Sequence, residues 1–125
     1  AGMIGNLQNK MDAKEFLLGL KNILQNGCIR HTELKNKKVQ RVAVCGGSGS
    51  FLIKDAINCG ADIYITGDIK YHDFFLPGDE MILADIGHYE SEQFTKELIY
   101  TLLKKKFTTF ALFISGTNTN PVNYL

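Results

Sequence analysis

The chain has 125 residues, of which 45% are hydrophobic, enough to form the core of one domain without calling for a second. Its 14 Lys and Arg residues nearly balance 13 Asp and Glu residues, and a net charge of +1 creates no long-range attraction for nucleic acid or an anionic membrane. No apolar run approaches the roughly 20 residues of a membrane span, and no secretory signal is seen, so we expect a soluble protein.

The cysteines indicate a reducing compartment. Cys28, Cys45 and Cys59 are odd in number and lack a C-x-x-C spacing, which argues against a disulfide framework or a zinc ribbon. We interpret Cys45, which lies within a strand pattern, as a small buried hydrophobic residue. The expected location is the cytoplasm.

The first third of the sequence predicts one helix between two irregular segments. Residues 1–5 show neither a strand nor a helix start and no initiator methionine, which suggests a piece of a longer protein. Asp12 and Glu15 have the spacing of a capping box, and the apolar residues that follow at helical spacing predict a helix over 12–25. Residues 28–39 are polar and basic, and we interpret them as a loop or an exposed edge.

Strand and helix patterns alternate from residue 41 onward. The predicted strands are 41–45, 62–65, 81–86 and 109–115. The predicted helices are 51–58, 69–75 and 90–105. Because repeated strand-helix-strand units form right-handed crossovers, this order predicts an α/β fold with a mainly parallel sheet and helices on both faces.

Three of these predicted strands end in glycine and polar residues. Residues 46–50 (Gly-Gly-Ser-Gly-Ser) follow the first strand, residues 66–68 (Thr-Gly-Asp) the second, and residues 87–88 (Gly-His) the third. Open α/β folds place their sites at the edge where the carboxyl ends of parallel strands meet. The sequence therefore predicts a functional site at this edge.

His88 and Glu92 have the spacing of a metal-ligand pair. Residues i and i+4 of a helix share a face, so an imidazole nitrogen and a carboxylate oxygen can converge on one cation. A catalytic zinc needs about three protein ligands, so further ligands would have to come from elsewhere. The alternative is an ion pair at a helix start, where the helix dipole also favours Glu92.

Residues 46–50 allow two interpretations. Their position between a strand and a helix suits the binding of a phosphate by amides and hydroxyls. Asp68 follows about 20 residues later, where a dinucleotide-binding fold places its ribose-binding acid, and this hypothesis predicts saturable NAD binding. Alternatively, the glycines serve a tight turn that requires them for backbone reasons.

Asp68 and His72 are four residues apart after the second strand. His72 is a candidate metal ligand, general acid or base, or hydrogen-bonding group that orients a ligand. The alternative is a local structural role for His72, which precedes Phe74 and Phe75.

Taken together, five segments resemble the C-terminal part of the NIF-three-like proteins, often named GTP cyclohydrolase I type 2 homologs. The segments are 2–5, 42–49, 60–72, 85–92 and 118–121. The occurrence in order of T-G-D-x-x-Y-H and G-H-Y-x-S-E is more specific than either motif alone.

The resemblance implies a two-metal site in a cleft between two similar α/β halves, and subunits assembled into a toroidal hexamer. The family's last histidine and glutamate ligands fall on His88 and Glu92. Its other ligands, a histidine pair and an aspartate, belong to an N-terminal half that this sequence does not contain. The implied cofactors are two divalent ions per full-length subunit, zinc, manganese or iron, and this chain would follow a PII- or CutA-like insert in a longer bacterial protein.

We therefore expect metal-assisted hydrolysis in the intact protein, with a nucleotide ring or phosphate ester as substrate. His88 and Glu92 would hold metal, while Asp68 and His72 would orient groups or transfer protons. The competing hypothesis is a metal-binding regulatory or scaffold module whose ring assembly works without catalysis. For the chain alone, two ligands predict weak or no metal binding and no catalysis.

Overall fold

The computed structural model describes residues 2–35 and 37–125 and contains one five-stranded sheet with the strand order β1-β3-β4-β5-β2. The strands are β1 (Met3–Asp12), β2 (Arg30–His31), β3 (Lys38–Ser48), β4 (Ile63–Gly67) and β5 (Ile82–Asp85). The α-helices are α1 (Ala13–Ile23), α2 (Ile53–Asn58), α3 (His88–Glu92) and α4 (Thr95–Lys106). Two short 3-10 helices cover Ser50–Leu52 and Tyr71–Phe75.

The three central strands are parallel, and both edge strands are antiparallel to their neighbours. This arrangement confirms the predicted α/β fold with a mainly parallel sheet. Ile63 of β4 lies opposite both Val42 of β3 and Ile82 of β5, so the three central strands are aligned. Their carboxyl ends consequently meet at one edge of the sheet, as predicted.

Helices cover both faces of the sheet, which also confirms the prediction. Strand side chains alternate between faces, and those on one face pack with Ile53 and Ala56 of α2. Those on the other face pack with Ala13 and Leu17 of α1. Full burial of an Ile or Leu side chain contributes about 1.5–3 kcal/mol, so these two clusters stabilise the arrangement of strands that carries the site.

Asp12 forms the predicted cap of the first helix. Its carboxylate accepts hydrogen bonds from the amides of Lys14 at 2.9 Å and Glu15 at 3.2 Å, two of the amides that a helix N-terminus leaves without partners. The helix ends at Ile23, and Gln25 has a φ of 51°. The left-handed conformation at Gln25 explains why the helix is shorter than predicted.

One prediction for the N-terminal third is wrong, and a second is confirmed in part. Residues 2–5 are not irregular, because β1 begins at Met3 and pairs with β3. Residues 28–39 include the exposed edge strand β2, in agreement with one of the two interpretations, and also the start of the central strand β3. Both β1 and β2 are edge strands with mostly exposed side chains, so hydrogen bonds to one neighbour define them instead of apolar periodicity. Residues 1 and 36, which fall within these two predictions, lie outside the described residues.

The predicted strand over 109–115 is also wrong, because residues 107–125 contain no strand or helix. The segment pairs with neither described edge of the sheet, and the Phe113 side chain is 91% exposed. A strand requires a hydrogen-bonding neighbour, which an apolar β-branched pattern does not supply.

The predicted helices contain breaks that periodicity did not indicate. The helix predicted over 90–105 is divided into α3 and α4, and at the junction Gln93 Nε2 donates to the Leu24 carbonyl at 2.7 Å. The helix predicted over 69–75 is a 3-10 helix from Tyr71 to Phe75. Within the described ranges, no helix has the length and apolar character needed to cross a bilayer.

Candidate functional site

Two glycines allow α3 to begin directly against the sheet. Gly87, with a φ of 82°, precedes His88 and occupies a conformation that favours glycine. A Cβ atom on Gly67, the last residue of β4, would lie 2.9 Å from the carbonyl carbon and oxygen of Gly87. The two backbones therefore touch, and this contact places His88 beside the end of β4.

His88 lies between two carboxylates. Its Nδ1 atom is 2.6 Å from Asp68 Oδ2, and its Nε2 atom is 3.5 Å from Glu92 Oε2. About half of each of the three side chains is exposed to solvent. The structure thus brings together the predicted residues His88, Glu92 and Asp68, and α3 places His88 and Glu92 on one face as expected.

Asp68 favours the protonated form of the His88 imidazole and fixes the partner of its Nδ1 atom. Its hydrogen bond raises the pKa of His88 above the ordinary value of 6.5, against an opposing effect of desolvation, and the charges of Asp68 and Glu92 raise this pKa further. In the neutral ring, an Nδ1 proton donated to Asp68 leaves the Nε2 lone pair facing Glu92. This is the carboxylate–histidine arrangement found behind metal-ligating histidines.

The separation of the two facing atoms fits a shared cation. Nitrogen and oxygen ligands at about 2.0–2.2 Å from a tetrahedral zinc lie about 3.3–3.6 Å apart, and the observed separation of His88 Nε2 and Glu92 Oε2 is 3.5 Å. The described part of the chain contains no group of three or more His, Cys, Asp or Glu residues that could hold a metal. The described residues therefore offer two convergent side chains of the kind that bind metals, and not a complete coordination shell.

The glycine-rich loop packs against α3. The Gly47 amide donates to Ser91 Oγ at 2.7 Å, and Ser91 Oγ donates to the His88 carbonyl at 2.7 Å. Gly47 has a φ of 65°, and a Cβ atom there would lie 2.7 Å from Glu92 Oε1. With this amide already hydrogen-bonded inside the protein, the geometry favours the backbone interpretation of the loop over the phosphate-binding one.

His72 lies apart from the other predicted site residues. It is exposed on the 3-10 helix Tyr71–Phe75, where its ring meets the edge of the Tyr71 ring with 5.5 Å between centroids. It is not among the described residues that line the cavity beside His88. Its role as a ligand or proton-transfer group stays a prediction.

Asp85 is a buried carboxylate that the sequence patterns did not single out. It is the last residue of β5 and only 4% exposed. Its oxygens accept hydrogen bonds from the amides of Ile69 and Gly87, each at 2.9 Å, and from the Arg30 guanidinium. The available signal in the sequence was a single acidic residue at the end of an apolar strand. A carboxylate buried at such a position requires hydrogen-bond donors, and this requirement indicates a structural role.

A cavity of about 640 Å³ lies beside the His88–Glu92 pair, within the usual size range of small-molecule sites. Besides the pair, its walls include Arg30 and part of the C-terminal tail, residues 120–122 and 124. Tyr124 interacts with the buried carboxylate Glu90, and its pKa is raised by desolvation and by that neighbouring charge. No strand or helix pattern predicted this contribution of the tail, because it depends on a tertiary contact.

Residues 1–121 match the sequence model of the Duf34/NIF3 (NGG1p interacting factor 3) family. The chain belongs to this family. The matched range contains Asp68, Asp85, His88 and Glu92 but not Tyr124. The predicted resemblance is therefore confirmed at the level of the family.

Curated relatives in the NIF3 family carry the name GTP cyclohydrolase 1 type 2 homolog. Those of Staphylococcus aureus strain MSSA476 and Bacillus subtilis strain 168 are 36% and 37% identical over 132 residues, covering 99% of this chain. The alignment covers 35% and 34% of those two proteins. The chain thus spans about a third of the length of the curated relatives it matches.

Solved structures of the NIF3 family have the same fold. The crystal structure of a Staphylococcus aureus hypothetical protein superposes with a TM-score of 0.91 and 33% identity, covering 99% of this chain and 43% of that one. A Bacillus cereus protein related to NIF3 gives a TM-score of 0.81 and 29% identity, with 99% and 36% coverage. These similarities confirm the predicted fold class.

Proposed function

We propose that this NIF3-family chain contributes His88 and Glu92 to the divalent-metal site of a metal-dependent hydrolase that acts on a nucleotide. The observation that carries the proposal is the orientation of the imidazole: Nδ1 contacts Asp68 at 2.6 Å, and Nε2 lies 3.5 Å from Glu92 Oε2. The name of the relatives, GTP cyclohydrolase 1 type 2 homolog, supports the nucleotide as substrate class.

Each side chain has a defined part in this proposal. When bound, a divalent cation supplies a water of lowered pKa and a charge that polarises the substrate. His88 and Glu92 bind the cation, and Asp68 retains the Nδ1 proton and so keeps Nε2 available as a ligand. The adjacent cavity of about 640 Å³ accommodates the substrate. His72 remains a candidate for proton transfer, for which His72→Ala is the test variant.

The remaining ligands are proposed to come from outside these 125 residues. Two protein ligands leave at least two positions of a tetrahedral ion to water or other groups. The expected occupancy in the longer protein is two divalent ions per subunit, with zinc, manganese or iron as candidates. For this chain alone, the same argument predicts weak or no metal binding and no catalysis.

A zinc titration followed by NMR tests the ligand assignment. The chain has three histidines, His31, His72 and His88, so each imidazole signal can be followed separately. We expect zinc to shift the His88 signals first and the signals of His31, which lies in β2, last. A double variant, His88→Ala with Glu92→Ala, should abolish the first response, and a His31→Ala, Glu97→Ala variant serves as the matched control. Earlier saturation of His31 would refute the assignment, and so would the absence of a His88 response in the longer protein that supplies the remaining ligands.

Turnover is tested with metal and nucleotide together. The longer protein that supplies the remaining ligands is loaded with zinc, manganese or iron and incubated with GTP, and the products are separated by chromatography. Hydrolysis that depends on the metal and disappears in the His88→Ala, Glu92→Ala variant would support the hydrolase. Metal binding at His88 without turnover of any nucleotide in a broad panel would refute it.

The second candidate function is a metal-binding scaffold module that assembles into a ring. One observation favours it: α4 has no buried residue, and Leu98, Ile99 and Leu102 are half exposed or more. Such a contiguous apolar face is typical of an interaction surface. Sedimentation velocity should show homo-oligomers, with a hexamer as the proposed ring, that dissociate in a Leu98→Glu, Leu102→Glu variant. A monomer at high protein concentration would refute assembly through this face.

A further inference from the structure

The Asp85 carboxylate connects the two segments that carry Asp68 and His88. Its Oδ2 atom accepts from the amide of Ile69, the residue after Asp68. Its Oδ1 atom accepts from the amide of Gly87, the residue before His88. Each hydrogen bond is 2.9 Å long. One buried side chain thus binds the backbone next to both partners of the Asp68–His88 pair.

Both of these segments contain a residue with a positive φ. Asp68 has a φ of 57°, a left-handed conformation that is costly for a residue with a Cβ atom, and Gly87 has a φ of 82°. Conformations of this kind persist at functional sites when surrounding contacts hold them. The two hydrogen bonds from backbone amides to the Asp85 carboxylate are made at Gly87 and next to Asp68, and they supply such contacts.

Arg30 completes the arrangement. Its guanidinium donates to Asp85 and also to the Ile69 carbonyl at 2.8 Å, and it lies over the Phe74 ring at 5.3 Å. The two-residue strand β2 places Arg30 there, because Arg30 pairs with Asp85 across the antiparallel ladder. The charge of the buried carboxylate is therefore balanced on the side facing β2, while its oxygens remain bound to the two amides.

We propose that Asp85 is a positioning residue that sets the distance and orientation of the Asp68–His88 pair and thereby the direction of His88 Nε2. This inference rests on the proposed function only in taking that nitrogen as a metal ligand. Residues behind a metal ligand typically change metal affinity about 10- to 100-fold when they are substituted. Asp85 acts on Asp68 and His88 indirectly, through hydrogen bonds to the backbone of the neighbouring residues.

An Asp85→Asn variant tests the proposal. Asparagine has one acceptor oxygen and one donor NH2 group, so it cannot accept from two amides and a guanidinium together. In the metal-free protein at a pH where the ring is neutral, 15N–1H correlation of the imidazole nitrogens reports which nitrogen of His88 carries the proton. We expect Nδ1–H to dominate in the wild type and a larger Nε2–H fraction in Asp85→Asn. Zinc affinity at His88 should fall about 10-fold or more in the same variant.

Asp62 provides a matched control. It precedes β4 at the opposite end of the sheet, and its carboxylate likewise accepts from two backbone amides, those of Gln40 and Arg41, at 2.8 and 2.7 Å. Asp62→Asn should lower stability while leaving the His88 tautomer and zinc affinity unchanged. A change in the His88 tautomer of equal size in both variants would mean general loosening of the fold and would overturn the positioning role.

Arg30→Lys keeps the inference testable if Asp85→Asn does not fold. The Arg30 side chain is 57% exposed, and lysine cannot reproduce the planar donation to both Asp85 and the Ile69 carbonyl. We expect a tautomer change in the same direction as in Asp85→Asn. An unchanged His88 tautomer in the folded variants overturns the inference. The absence of zinc binding at His88 in the longer protein would instead overturn the proposed function, while a tautomer change in the variants would still support the role of Asp85.

Discussion

Replacing Gly67 by alanine tests whether the close approach of β4 and α3 builds the site. The added Cβ atom would lie 2.9 Å from the carbonyl carbon and oxygen of Gly87 and 3.0 Å from His88 Cα, about 0.5 Å or more inside ordinary van der Waals contact. All three neighbours are backbone atoms, so no flexible side chain can move aside. The start of α3 must therefore shift away from the sheet.

Overpacking of this kind costs about 1–3 kcal/mol, which for a chain of this size lowers the melting temperature by about 4–12 °C. Gly19→Ala in α1 is the matched control, because no atom lies within 4 Å of its added Cβ and removing a helical glycine stabilises by about 0.5–1 kcal/mol. Thermal unfolding followed by circular dichroism should give opposite shifts for the two variants. A Gly67→Ala melting temperature equal to or above that of the wild type would refute the reasoning.

Three further predictions concern groups in or near the site. In the metal-free protein, the pKa of His88 should lie above 6.5 and should fall in the Asp68→Asn variant, because the hydrogen bond to Asp68 raises it. An NMR titration measures both values, and an unchanged pKa in the variant would refute the hydrogen bond as the cause. Gly47→Ala should displace the Glu92 carboxylate, which lies 2.7 Å from the added Cβ, and weaken zinc binding in the NMR titration; unchanged affinity would contradict this. Burial raises the pKa of Tyr64 to about 12, so the folded state keeps the neutral phenol at a pH where the unfolded chain has lost its proton. The contribution of Tyr64 to the free energy of unfolding should be fully present below about pH 10 and be lost as the pH rises through about 12. Ultraviolet absorbance would follow the ionisation of Tyr64, and denaturation at alkaline pH would measure the loss of stability.

The parts of the site that depend on local spacing could be predicted from the sequence, and the parts that depend on strand register could not. His88 and Glu92 share a face because they are four residues apart in a helix. The same spacing argument paired Asp68 with His72, yet Asp68 contacts His88, twenty positions away. The parallel register places Thr66 opposite Asp85, so the chain segments that follow β4 and β5 become neighbours.

The strand errors have the same physical origin. β1 is a polar edge strand whose identity depends on hydrogen bonds to β3, so its composition gave no apolar alternation to detect. The segment 109–115 has a strand-like composition but no hydrogen-bonding neighbour in the described part of the chain. Composition reports how well a residue fits a sheet, whereas the existence of a strand depends on the partner beside it.

The charges that line the cavity determine the order in which ligands should bind. Asp68, Asp85, Glu90 and Glu92 contribute four carboxylates, and the one Arg or Lys among the described lining residues, Arg30, is paired with Asp85. A nucleotide triphosphate entering this cavity without a cation would meet like charge at short range, which opposes binding.

GTP should therefore bind only when a divalent cation is present, and by linkage GTP should increase the affinity for that cation by the same factor. Saturation-transfer NMR of GTP with the protein, first with EDTA and then with zinc or manganese, measures this directly. Binding of GTP in EDTA that equals binding with metal would mean that the acidic cavity wall does not contact the phosphates. That result would remove the electrostatic argument for a cation-bridged nucleotide at this edge of the sheet.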